Sequence, residues 1–490
     1  MRILIATSEA VPFAKTGGLA DVATGLARSI GELGHDVTLV LPYHRRFVPE
    51  GIPIEETGVS VSLSVDGREV TAGICRARLP ETPVDVLLID QPGYFDRAGL
   101  YTESGVDYAD NCERYCFFCR AVMETARKLE LAPDVIHAND WQTGLIPALL
   151  EAEYRQTPMF SRTVSIITVH NLAFQGRFPG WCMKWTGMDW KYFNWLQMEF
   201  WGDLNLLKTG IVFAQMVTTV SPTYAREICQ PEFGCGLDTV LAARADDLVG
   251  ILNGVDTNEW NPSRDRHIPQ QYSAGSWKSG KAACKRELQR ESGLPDRPHV
   301  PLFGMISRLT DQKGLDLIEH VADDFLRNDV QIAFLGTGEA HCEHFVRSLA
   351  TRAPDKVAAF IGFDERLAHR IEAGADIYLM PSRFEPCGLN QQYSMAYGTI
   401  PIVHAVGGLA DSVVDASGPN LQDGRATGFV FRDYAAGPFA GKIRESLRLY
   451  DARPTRQAVV ETGMKRDCSW ERSAAAYLDV YKRAQDKLGK

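Results

Sequence analysis

A chain of 490 residues with 45% hydrophobic, 23% charged and 10% aromatic residues has the composition of a folded globular protein of two or three domains, which excludes the fibrous and disordered classes. A formal net charge of −10 with no long basic run argues against nucleic acid or an anionic membrane as partner, although a few gathered cations can still hold a phosphate-bearing ligand. The opening MRILIATSEA is too short and interrupted for a signal segment, no run of about 18 apolar residues suggests a membrane span, and eleven scattered cysteines suit reduced thiols, so a cytoplasmic location is expected.

Along the chain, short apolar runs alternate with helical patterns. The first series of predicted strands falls at 2–7, 36–41, 84–90, 135–138, 164–169 and 216–220, and a second at 301–307, 330–336, 357–362, 376–381, 400–405 and 428–431. Strands interleaved with helices imply right-handed crossovers and parallel sheets covered on both faces. The fold class is therefore α/β, with two Rossmann-like, doubly wound parallel-sheet domains facing across a cleft. The polar, turn-prone stretch 253–289 is read as the linker, giving a first lobe over 1–255 and a second over 256–468. A closing helix over 469–490, with Trp470, Ala474, Tyr477, Leu478 and Tyr481 on one stripe, is assigned to the first lobe.

Several clusters carry chemistry. The word GGLAD occurs twice, at 17–21 and 407–411, each time after a predicted strand and opening a predicted helix. Paired glycines at a helix N-terminus can cradle an anion, or they can serve strand-to-helix turns alone. Lys15 adds an ammonium to the first of these loops. Arg308 and Lys313 follow a strand of the second lobe and suit a diphosphate, unless they are solvated loop charges. Glu385, beside Pro386 and Gly388, can grip hydroxyls at a strand end or sit in an ordinary turn. His170 and Asp140 end strands of the first lobe. The GTGE at 336–339 lacks the third glycine of a dinucleotide fingerprint, since His341 stands there, and the sequence contains no Asp-x-Asp pair or zinc motif. Cys112, Cys116 and Cys119 could ligate an iron–sulfur cluster, but their spacing fits one buried helix face better. Five of the nine tryptophans lie between Trp181 and Trp201; core packing is the expected role for most of them, and stacking on sugar rings the other.

The words KTGGLADV, HANDWQTGL, TVHNLAFQG, VSPTYAREI, ILNGVD, SRLTDQKG, SRFEPCGL and the late GGLADSV, in that order over nearly the whole chain, resemble the bacterial glycogen synthase and plant starch synthase family. The resemblance implies a glycosyltransferase of GT-B architecture. It would move glucose from ADP-glucose to the non-reducing 4-hydroxyl of glycogen or another α-1,4-glucan with retention, using no cofactor and no metal. Carried over by motif, Lys15, Gly17 and Gly18 would touch the diphosphate and Arg308 and Lys313 would hold it. Glu385 would bind glucose hydroxyls near the reacting centre, His170 would lie beside the transferred sugar, and Asp140, Asn253, Gly388, Leu389 and Gly408 would complete the substrate site. Two other classes are compatible with the motifs: a retaining transferase using UDP-glucose, and a catalytically silent glucan-binding protein. Departures from the family pattern are Asn390, where a threonine is common, and Phe363, where a tyrosine is frequent; Tyr393 stands eight positions after Glu385, where many related transferases carry a second glutamate, as expected of this subgroup.

Overall fold

The computed structural model describes residues 1–489 and divides into two compact units. The first runs Met1–Gly254 and takes in the terminal helix that starts at Trp470; the second is Val255–Ser469.

The first unit is built on a nine-stranded sheet. Its strands are β1 (Arg2–Ala6), β2 (Asp36–Pro42), β3 (Glu55–Val65), β4 (Arg68–Arg78), β5 (Asp85–Asp90), β6 (Val135–Asn139), β7 (Val164–Val169), β8 (Met216–Thr219) and β9 (Leu248–Gly250). They lie in the order β9-β8-β7-β6-β1-β2-β5-β4-β3. The β3–β4 and β4–β5 pairings are antiparallel, and the others are parallel. Setting β3 and β4 aside, the seven parallel strands count 3-2-1-4-5-6-7 across the sheet, the doubly wound order with one strand added at the edge, and the strand order reverses between β1 and β6. The β3–β4 hairpin lies outside the expected strand series. Its signal is the two-residue turn Asp66-Gly67, both at positive φ (48° and 76°), between alternating runs.

The second unit has a six-stranded, all-parallel sheet: β10 (Leu302–Ile306), β11 (Gln331–Gly336), β12 (Val357–Ile361), β13 (Ile377–Met380), β14 (Ile400–His404) and β15 (Phe429–Phe431). The order β12-β11-β10-β13-β14-β15 is 3-2-1-4-5-6, with the reversal between β10 and β13. These strands read as continuous apolar runs because helices cover both faces, and β11 and β13 are buried at every position.

The stretch 253–289 is not a linker throughout. The chain changes unit between Gly254 and Val255, and Trp277–Glu291 forms helix α3, which packs on α4 (Glu365–Gly374) of the second unit. Its buried stripe of Trp277, Cys284 and Leu288 is hidden among many lysines and arginines, which made the segment read as polar. In the first unit, helix α1 (Gly18–Glu32) follows β1, and α2 (Asn111–Lys128) buries Cys112, Cys116 and Cys119 on one face as free thiols. The terminal helix Trp470–Leu488 packs against α1, and its Tyr481 hydroxyl lies 2.8 Å from Nδ1 of His137.

The aromatic segment departs from expectation. Trp181, Trp190, Trp195 and Trp201 are 59%, 55%, 73% and 80% exposed, and Trp185 is half-buried. The segment folds into single-turn helices and a three-stranded sheet of two- and three-residue strands, which is too small to bury five indoles. Among the described residues, no helix is long and apolar enough to cross a membrane.

Candidate functional site

In open α/β sheets, ligands bind beyond the carboxyl ends of the strands where the strand order reverses. Both units place the sequence-predicted residues beyond the carboxyl ends of their strands, and Lys15, Asp140, Arg308, Lys313 and Glu385 follow the strands at which the order reverses.

In the second unit, β10 leads into 307–314 and β13 into 382–389. Backbone and side-chain bonds tie these two loops together: Arg383 N–H donates to the Gln312 carbonyl at 2.8 Å, and the Gln312 amide donates to the Phe384 carbonyl at 3.3 Å. Within this frame the Lys313 ammonium meets Oε2 of Glu385 at 2.5 Å, and the Ser382 hydroxyl donates to the same oxygen at 3.0 Å. The two side chains are 16% and 9% exposed, so the pair is largely withdrawn from solvent. Arg308 remains exposed, held by its bond to Gln312 Oε1 at 3.1 Å. The structure thus brings Lys313 and Glu385 into direct contact and sets Arg308 on the same loop.

Gly388 occupies the left-handed region (φ 70°), and Leu389 precedes helix α5 (Asn390–Ala396). The Asn390 amide donates to the Ile306 carbonyl at 2.8 Å and lies 2.7 Å from the Tyr378 hydroxyl. Its side chain therefore clamps the ends of β10 and β13 instead of facing a ligand. Phe363 is 89% exposed, after the last strand of the sheet edge.

The second GGLAD word opens helix α6 (Gly407–Ser412), where the Gly408 amide is taken up by the protein's own backbone. Gly408 N–H donates to the carbonyls of Glu385 and Pro386, at 3.2 and 3.1 Å. Gly407 sits at φ 42°, where a Cβ would fall 2.0 Å from the Glu385 carbonyl oxygen. This glycine pair lets the 385–387 backbone lie directly on the helix start, and so fixes Glu385.

In the first unit, Gly17 and Gly18 are exposed with open space around them, at the start of α1. Lys15 pairs with Asp21 at 2.7 Å on the exposed side of this loop. A group the sequence reading missed organises the loop from beneath. Glu9, buried just past β1, accepts from Thr16 N–H (2.5 Å), Thr16 Oγ1 (2.8 Å), Gly17 N–H (3.2 Å) and the Tyr101 hydroxyl (2.5 Å). Its signal was a carboxylate directly after an apolar strand.

Across the reversal point, β6 ends in Asn139 and Asp140. Asp140 takes φ 55°, a strained conformation for a non-glycine residue, and its Oδ1 accepts the His170 N–H at 2.7 Å. Burial pushes the Asp140 carboxyl up to about 7, against the opposing hydrogen bonds from the His170 and Asn171 amides. The His170 ring, 2.9 Å from Asn139 Oδ1, is pushed down to about 3 by burial and is a neutral imidazole at physiological pH. Asn253, beyond β9 and buried, lies on the same carboxyl edge of the sheet.

Comparison with known proteins agrees with this architecture. The family described as "Starch synthase catalytic domain" matches residues 2–243, and "Glycosyl transferases group 1" matches residues 285–466. The chain is 47% identical over 483 residues to the glycogen synthase of Anaeromyxobacter dehalogenans, covering 98% of this chain and 99% of that one. It is 42% identical over 486 residues to glycogen synthase 2 of Geobacter sulfurreducens, covering 99% of each. Among solved structures, the catalytic domain of starch synthase IV from Arabidopsis thaliana, bound to ADP and acarbose, superposes with a TM-score of 0.91 at 31% identity and 99% coverage of both chains. Sucrose-phosphate synthase from Thermosynechococcus elongatus, at 15% identity and a TM-score of 0.59 over 98% of both chains, shares the fold.

Proposed function

Because the chain belongs to the glycogen and starch synthase family of glycosyltransferases, we propose that it elongates an α-1,4-glucan by moving glucose from ADP-glucose to the non-reducing 4-hydroxyl with retention. The observation that carries this reading is the withdrawn Lys313–Glu385 pair with Arg308 on the same loop, at the reversal point of the second sheet.

Breaking the bond between the anomeric carbon and the diphosphate builds negative charge on the departing phosphate and oxocarbenium character on the sugar. Fixed donors aimed at the developing charge lower that barrier. In this reading Arg308 and Lys313 receive the diphosphate, and Lys313 exchanges its contact with Glu385 for a phosphate oxygen. Glu385, released and still held by Ser382, then accepts from glucose hydroxyls. The neutral His170 imidazole can hydrogen-bond the sugar without adding a positive charge beside a forming oxocarbenium ion. In the same reading Lys15 and the exposed Gly17-Gly18 loop, whose Gly17 N–H is already given to Glu9, would serve the diphosphate from the first unit, and Asp140, Asn253, Gly388, Leu389 and Gly408 would shape the remainder of the site. These side chains supply the charge that a metal supplies in transferases with an Asp-x-Asp pair, so no metal or other cofactor is required, and the reaction belongs in the cytoplasm.

The test is incorporation of labelled glucose into glycogen primer from ADP-glucose and from UDP-glucose, each with and without chelator. Incorporation from ADP-glucose that survives chelation is expected. Incorporation from UDP-glucose alone, or none, overturns the reading.

A further inference from the structure

A second polar cluster in the Val255–Ser469 unit plays no part in the proposed transfer. It centres on His369, in the second turn of α4, whose side chain is 1% exposed. Nδ1 of the ring lies 2.7 Å from Oδ2 of Asp265. That carboxylate is itself fixed, by the Tyr397 hydroxyl at 2.5 Å and the His267 N–H at 2.7 Å. The indole of Trp260 stacks on the imidazole with centroids 3.9 Å apart and planes 8° from parallel. Its other nitrogen, Nε2, is buried and has no hydrogen-bond partner among the described residues.

A buried ring nitrogen left unbonded costs free energy unless something else occupies it. Two carboxylates lie close to the ring. Glu365 stands four residues before His369 on the same face of α4, and Glu259 comes from the stretch preceding Trp260. Oxygens of both carboxylates and a nitrogen of His369 lie within 4.8 Å of one another. Because Asp265 occupies Nδ1, Nε2 is the nitrogen left to ligate. Donors sharing one ion at bonds of about 2.0–2.2 Å stand up to about 4.3 Å apart, a spacing that two exposed glutamates reach by small rotations. Metal-bound histidines characteristically give their other ring N–H to a carboxylate, and Asp265 is in that position.

We propose that Glu259, Glu365 and His369 form a binding site for a single divalent cation of the zinc or manganese class. Two carboxylate oxygens and one imidazole suit those ions better than a thiophilic metal or one that demands an all-oxygen shell. The ion would fasten the first stretch of the Val255–Ser469 unit to α4. Through Trp260, which also stacks on Tyr393 at 3.9 Å and 3°, it would steady α5, the helix that follows the Glu385–Leu389 turn. The role is structural and independent of donor chemistry.

The experiment is calorimetric titration of the full chain, stripped with chelator, with Zn²⁺ and separately with Mn²⁺, alongside Glu259→Gln, Glu365→Gln and His369→Gln. One ion per chain is expected, with about tenfold or greater weakening in each glutamate variant, loss of binding in His369→Gln, and a rise in wild-type melting temperature with excess metal that Glu365→Gln does not show. The exposed glutamates keep the test decisive if His369→Gln fails to fold. A second metal-like cluster, Asp311, Glu339, His341 and Cys342, is separated by the spectrum of the Co²⁺-loaded protein, because it alone supplies a thiolate. A thiolate charge-transfer band, binding unchanged by Glu365→Gln, or no stoichiometric binding of either ion overturns the proposal.

Discussion

Lys313 and Glu385, 72 residues apart in sequence, meet at 2.5 Å with side chains 16% and 9% exposed. Neither charge has much water to fall back on, so each stabilises the other, and each is available to a ligand that offers a better partner. A phosphate for the ammonium and sugar hydroxyls for the carboxylate would be such an exchange.

Removing one member should therefore cost both activity and stability. Lys313→Ala is expected to lower kcat by about 10²–10³-fold, the usual loss when one donor to developing charge is removed. It should also lower stability, by up to about 3 kcal/mol, because Glu385 is left as a largely buried, uncompensated charge. Glu385→Gln is expected to lose activity with a smaller stability loss, since the amide can still bond Ser382. The double variant Lys313→Ala/Glu385→Gln should be more stable than Lys313→Ala alone. Denaturant titrations of the three, read with steady-state rates, check this; additive losses would mean that the pair is not coupled.

The two GGLAD words should respond differently to one added methyl. Gly407→Ala forces a Cβ against the Glu385 carbonyl at a positive φ, so a loss of roughly 1–3 kcal/mol is expected, with kcat falling because Glu385 is displaced. Gly17 has extended backbone, φ −157°, and nothing within 4 Å of its would-be Cβ. Gly17→Ala is therefore expected to melt with the wild type and to show its effect in the KM for the donor. Equal melting losses in the two variants would show that the words do the same job.

Most of the fold was legible because buried parallel strands leave continuous apolar runs, as in 331–336 and 164–169. The antiparallel Glu55–Val65 and Arg68–Arg78 strands were not, since one face is wet and the pattern GVSVSLSV is half polar. The Asp66-Gly67 turn was the available signal. At the site, word matches located Lys313 and Glu385 separately. Their contact depends on β10 and β13 lying side by side, which is a property of strand order and not of spacing. The exposed tryptophans misled for a related reason: indole content predicts burial only where enough surrounding structure exists to bury it.

A buried carboxyl in the second unit gives a pH signature. Glu372 is fully buried, with Oε2 accepting from Ser394 at 2.7 Å, and burial pushes it up to about 8. Because the folded value lies above that of the unfolded chain, near 4.5, the folded protein holds this proton where the unfolded chain has released it. Its contribution is thus fully present below about 4.5 and lost progressively as pH rises toward 8. Glu372→Gln keeps the shape and removes the proton. Relative to wild type the variant should gain about 1.4 kcal/mol for each pH unit between about 5 and 8, and level off above that. Denaturant titrations of both proteins at pH 5, 6, 7 and 8 check it. A stability difference that stays flat over this range would show that Glu372 ionises in the folded state as readily as in the unfolded one.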